Sequence, residues 1–187
     1  LTTTSSSSLS FGGSSTGVNI PGGVTTLNNL TVGNSSGVSL GAAVTLAGQL
    51  QINSGTLNLG GFNSTAGSLS FNSGATLQAT GTWGYSGQAN NDTIHFTSAG
   101  GSVNVLYGQG SQFRSAGSGT WNVPATWQVS NDNSIWVARP GAWPGINNSD
   151  FIQAGHTVTL VENEAYPDLN ISSGTTAAGA GGYGQVA

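Results

Sequence analysis

The chain has no cysteine, no methionine and no lysine. Without cysteine its fold can rest on neither disulfides nor thiolate metal sites. Charge is almost as scarce. Only 4% of residues are charged, against about 25% in an average soluble domain. The cations are Arg114 and Arg139. Two arginines cannot neutralise a run of phosphates, so a nucleic-acid partner is not expected. No polybasic segment is present for an anionic membrane surface. No apolar run approaches the roughly 18 residues of a membrane span, so membrane insertion is not expected either. Strong helix formers such as Glu and Lys are nearly missing, and no segment has helix periodicity.

What is present is glycine, 31 of 187 residues, with Ser, Thr and Asn as the main polar types. Disordered chains usually pair high net charge with few β-branched residues. Here Val, Ile, Leu and aromatics are plentiful and periodic, which points to an ordered β protein with a neutral polar skin. Such a surface offers little repulsion against self-association.

The organising stretch is Gly17 to Ala79. Apolar residues come in pairs two apart, and the pairs recur at a short, even spacing: Val38/Leu40, Val44/Leu46, Leu50/Ile52, Leu57/Leu59. Spacing of two is that of a strand with one buried face. Small and polar residues between the pairs suit corners. Three pairs make one circuit. Gly17, Gly37, Gly55 and Gly74 close successive circuits at steps of 20, 18 and 19. Three buried columns are expected: Ile20–Leu40–Leu59, Val32–Ile52–Phe71 and Val24–Val44–Phe62. A repeat of about 19 residues with two or three short strands per turn is the signature of a stacked solenoid.

Around this core the chain divides as follows. Residues 1–17 are a Ser/Thr-rich lead-in or first strand, 18–176 the solenoid, and 177–187 a Gly-rich tail. A loop insertion is expected near 80–91 and an irregular Trp-rich part over 120–148. Beyond the insertion, pairs such as Ile94/Phe96, Val103/Val105, Trp127/Val129 and Ile135/Val137 return. The step from Gly119 to Gly155 is twice the shortest regular step and reads as two circuits. The chain starts at Leu1 without a basic or apolar leader, as expected of a mature or excised segment.

No catalytic constellation emerges, and no cofactor motif. Asp92, Asp150 and Asp168 each fall just before a strand, where Asx-turns favour Asp. Glu162 and Glu164, with Asp168, make at most a weak calcium candidate, since hard-cation sites want six or more oxygens. His95 alternates with Ile94 and Phe96 and should face solvent. His156 follows a corner glycine and reads as a surface residue. Trp121 and Trp127 fall on the inward phase of the repeat. Trp136, on the outward phase, and Trp143 are the candidates for sugar stacking or subunit contact. Phe11, Tyr183 and Val186, near the two ends of the chain, are further contact candidates.

The segments Val24–Val32, Val44–Leu59, Gly119–Trp127 and Ser149–Leu160 resemble the repetitive β-helix segments of large secreted surface proteins of Bacteroidota. The resemblance covers most of the span from 18 to 175. It implies an extracellular, adhesin-like setting at the cell surface and carries no catalytic motif.

The expected fold is therefore an all-β parallel β-solenoid, or β-helix, right-handed by the default for parallel crossovers, with the hexad-like spacing leaving a left-handed triangular form as the alternative. A solenoid has two open strand edges, and no cap is evident at either end. The expected role is a non-enzymatic subunit of an extracellular filament, fibre or sheath, a homopolymer built head-to-tail. The alternative is a β-helical adhesin module that binds glycans through the Trp-rich loops.

Overall fold

The computed structural model describes residues 2–72, 77–138, 143–144, 148–160, 169–171 and 176–179. The chain is all-β, with one short 3-10 turn, Pro124–Thr126, among the described residues. Its strands form four sheets, two with parallel pairs only and two that mix parallel and antiparallel pairs, rather than one uninterrupted parallel coil. Packing divides the chain into two units, Leu1–Gly108 and Gln109–Ala187.

In the first unit the strands are β1 (Leu9–Phe11), β2 (Asn19–Ile20), β3 (Thr26–Leu27), β4 (Leu30–Val32), β5 (Val38–Leu40) and β6 (Thr45–Ile52). There follow β7 (Leu57–Asn58), β8 (Asn63–Phe71), β9 (Gly81–Gly84), β10 (Asn90–Asn91), β11 (Phe96–Thr97) and β12 (Ser102–Val105). One sheet runs β1-β4-β6-β8-β12-β9-β10, with β3 also beside β6; the other runs β11-β7-β5-β2. The long ladder is parallel through β12. Leu30 lies beside Leu50, and Leu50 beside Leu69. Val32, Ile52 and Phe71 align the same way, so that column is as expected. Ile20 pairs with Leu40, and Val38 with Leu57. Each step is close to one sequence repeat, and paired strands lie about 4.8 Å apart.

The aliphatic members of these ladders are buried, and most alternate with exposed or half-buried polar residues. The third expected column fails. Register extends Val44 to Ser64, whose hydroxyl accepts the Val44 N–H at 3.0 Å, while Phe62 packs half-buried beside the core. The void among Leu30, Leu50, Leu57 and Val103 is ≈ 10 Å³, room for about one water.

The corners explain the Asn-Ser-Ser-Gly closures. Asn34 is fully buried. Its Nδ2 donates to Ser15 O at 2.8 Å, on the preceding circuit, and to Gly37 O at 3.1 Å. Its Oδ1 accepts the Ser36 N–H at 3.2 Å. Gly37 and Gly55 follow at φ of 84° and 68°, a region that L side chains rarely enter.

The insertion then appears. β12 pairs directly with β8, Ser102 beside Asn63, and β11 directly with β7, Phe96 beside Leu57. Each of these steps takes about twice the sequence of a regular one. Among its described residues the intervening segment adds no rung. It holds β9, which runs antiparallel to β12, and β10.

In the second unit the strands are β13 (Gln112–Ser115), β14 (Gly119–Thr120), β15 (Trp127–Ser130), β16 (Val137–Ala138), β17 (Ser149–Ile152), β18 (Thr157–Leu160), β19 (Leu169–Ile171) and β20 (Thr176–Gly179). One sheet runs β16-β15-β13-β17-β19 and the other β14-β18-β20. The long glycine step from Gly119 to Gly155 is not two circuits. Gly119 pairs directly with Val158, and Gln112 with Ser149. Between them β15 folds back antiparallel beside β13, and β16 antiparallel beside β15. Trp121 and Trp127 are fully buried, packed edge to face at 4.9 Å. Each indole N–H is satisfied, by Pro144 O at 3.2 Å and Trp121 O at 2.7 Å respectively. The pairing rule breaks here: Val123, Ile135 and Val137 are exposed, because this excursion lies outside the parallel ladder. The regular step then resumes from β17 to β19 and from β18 to β20.

No helix among the described residues is long and apolar enough to cross a membrane. The stacked columns set the expected mutational response. Leu50→Ala, which empties a position between Leu30 and Leu69, should cost about 2–5 kcal/mol in urea unfolding. Gln51→Ala, one position along and half-buried, should change stability by no more than about 0.5 kcal/mol. Equal losses would mean that this ladder does not carry the core.

Candidate functional site

A row of outward residues crosses the larger sheet of the second unit. Register aligns Ala138, Gln128, Arg114 and Phe151 on β16, β15, β13 and β17. The inward neighbours Phe113 and Val129 are fully buried, which fixes the row's orientation. Adjacent strands lie about 4.8 Å apart, so Gln128, Arg114 and Phe151 stand shoulder to shoulder. Arg114 Nε–H donates to Gln128 Oε1 at 2.7 Å. The guanidinium carbon sits 4.4 Å from the centre of the Trp136 ring, within cation–π range.

Trp136 arrives on the turn after β15, and Asp132 shapes that turn. Its Oδ1 accepts the N–H groups of Ile135 at 3.0 Å and Ser134 at 2.9 Å and the Ser130 hydroxyl at 2.9 Å. These bonds, the Ile135 N–H foremost, hold the Asp132 carboxyl far below the usual carboxylate range. Asn133 takes φ 60°, a conformation its short amide tolerates. On the other flank, Gln153 is tied to Ser115: its backbone N–H donates to Ser115 Oγ at 2.8 Å and its Nε2 to Ser115 O at 2.6 Å.

Arg114, Asn133, Trp136, Phe151 and Gln153 line an open cleft of ≈ 320 Å³. That is within the size range of small-molecule sites. A cation, two aromatic rings and two amides suit a polar ligand with a flat apolar face. None of the five is a nucleophile or a general acid near neutral pH.

Of the other sequence candidates, Trp143 is half-buried and does not line the cleft. Phe11 is half-buried on β1, packed against the core of the first unit. Tyr183, Val186, Glu162, Glu164 and Asp168 lie outside the described residues. Among the described residues no three His, Asp or Glu side chains group to hold a metal.

Three titratable residues depart from their expected places. His95 does not face solvent. Its ring stacks on Phe71, centroids 3.8 Å apart and planes 3° from parallel, and its Nδ1–H donates to Asp92 Oδ2 at 2.8 Å. Alternation fails here because residues 93–95 form a turn that throws Ile94 outward instead. Asp150 is not a corner residue but a fully buried member of β17, in register with Phe113. His156 is half-buried, with Nδ1 2.8 Å from Ser115 Oγ. That Ser–His pair is structural: Ser115 is fully buried and its Oγ already accepts the Gln153 N–H, so no substrate reaches it.

Asp92 does match its expected turn role. Its Oδ1 accepts the N–H groups of Ile94 and His95, both at 2.8 Å.

No protein family, no curated protein and no solved structure matches this chain.

The Asp92 turn has a pH signature. Partial burial pushes its carboxyl up, but the His95 ring and the His95 and Ile94 N–H groups outweigh it, and the net shift is down from 3.8. A depressed folded value stabilises the fold above the unfolded value and loses that contribution as pH falls through the folded one. The stability gap between the native chain and Asp92→Asn should therefore be full at neutral pH and shrink below pH 3.8. Urea titrations at neutral pH and near pH 2.5 read it. A gap that stays constant would remove the carboxylate from this role.

Proposed function

We propose that the chain is a non-catalytic β-solenoid module of an extracellular surface protein, and that it binds carbohydrate in the Arg114–Trp136 cleft. The parallel steps of one circuit each support the solenoid reading, with the antiparallel excursions as insertions on its corners. The cleft carries the functional reading. Aromatic rings offer apolar faces to the C–H face of a sugar, and amides bond its hydroxyls. The row that builds it is fixed by backbone register, so the site is organised before any ligand arrives. A neutral, charge-poor coat and an absence of cysteine fit an exported setting at the cell surface.

A second reading has its own observation. β1 and β2 stand at sheet edges, with no strand on their outer side among the described residues. Such an edge is a template for strand addition. A second copy seated there would start the head-to-tail filament expected from the sequence.

The readings are told apart on one purified sample. The binding module gives saccharide signal on a glycan array while remaining monomeric by light scattering, and Trp136→Ala lowers the affinity about tenfold or more. The filament gives long thin polymers in electron micrographs. Array silence from a folded monomer would sink both.

A further inference from the structure

We infer that the cleft takes an acidic saccharide, with the carboxylate of a uronic acid seated on Arg114. The inference rests on the carbohydrate reading and names its ligand class. Arg114 is the only arginine or lysine among the described residues, and no salt bridge there ties it to an acid. It is a cation without an acidic partner among those residues, in a chain of net charge −4. Its guanidinium is nonetheless held still. Nε is occupied by Gln128 Oε1, and the guanidinium lies over the Trp136 ring. Those two restraints leave the terminal amino groups as the open side of the group. Two parallel N–H donors at fixed spacing match the two oxygens of a carboxylate. The entropy of orienting the fork is lost before the ligand binds.

The surroundings fit the same ligand. Arg114 covers Trp136 from one side, so the sugar ring packs on Phe151 and on what remains open of the indole. Asn133 and Gln153 border the cleft where hydroxyls would lie. A neutral sugar would desolvate the guanidinium without compensating it, whereas a carboxylate supplies the missing charge.

The test compares ligands on the native chain by isothermal titration calorimetry. The probes are uronate oligosaccharides, the same oligosaccharides with carboxyls reduced to alcohols, and a sulfated neutral backbone. The expected result is that uronates bind at least about tenfold tighter than their reduced forms. The uronate affinity should also fall as salt rises from about 50 to about 500 mM. Arg114→Gln should erase the difference between the two ligands, and Gln128→Ala, which frees Nε but keeps the charge, should narrow it several-fold. Equal binding of uronate and reduced forms overturns the acidic-ligand inference and leaves the carbohydrate reading standing. Preference for the sulfated ligand overturns the carboxylate assignment. Silence with all three overturns the carbohydrate reading itself. The ligand comparison needs no variant, so it decides even if Arg114→Gln does not fold.

Discussion

The parallel backbone ladder between strands one circuit apart is the constraint on which everything else depends. A short strand cannot bury a face alone. Leu30 is buried between Leu9 and Leu50, and Leu50 between Leu30 and Leu69. The same ladder brings corner to corner. That is why the Asn34 amide reaches the Ser15 carbonyl of the preceding circuit, and why glycine stands where the corner backbone takes positive φ. Each paired strand is therefore only as secure as the strands it touches.

The ladder also tolerates interruption. From β7 to β11, β8 to β12, β13 to β17 and β14 to β18 the chain takes about twice the regular step, and the strands that bracket each gap still pair in register. What is inserted need not obey the repeat. β9 joins antiparallel to β12, and β15 joins antiparallel to β13. Function is easiest to place on such excursions, because a loop can vary while the scaffold keeps its spacing. The cleft draws on such an excursion. Gln128, Asn133 and Trp136 come from the excursion, while Arg114, Phe151 and Gln153 come from the ladder that it interrupts.

This separates what the residues reveal on their own from what they do not. Columns such as Val32–Ile52–Phe71 are legible because the spacing of two and the regular step between circuits both show in the chain. The Trp-rich middle is not. From Gly119 to Gly155, periodicity alone cannot tell two added rungs from one insertion of nearly the same length. Alternation misplaces His95 because it holds only within a strand, and residues 93–95 turn. The burial of Asp150 depends on β13 and β19 beside it, not on its place before a strand. For the cleft, Trp136 and the scarcity of cations are both visible. Their meeting is not, since Arg114 and Trp136 are joined only after β15 has folded back.

The cation's place is then a matter of parity. On β13 the residues alternate, with Phe113 and Ser115 buried and Arg114 between them turned outward. A slip of one residue in the pairing with β15 or β17 would point the guanidinium at the core and Phe113 at the solvent. Turning the guanidinium into that interior would cost its desolvation. Burial of Phe113 and Val129 therefore does more than hold the sheet together. It forbids the competing register, and in doing so it places the lone described arginine beside Gln128 and Phe151. The cleft needs no machinery of its own: it is the outward face of a register that the core had already chosen.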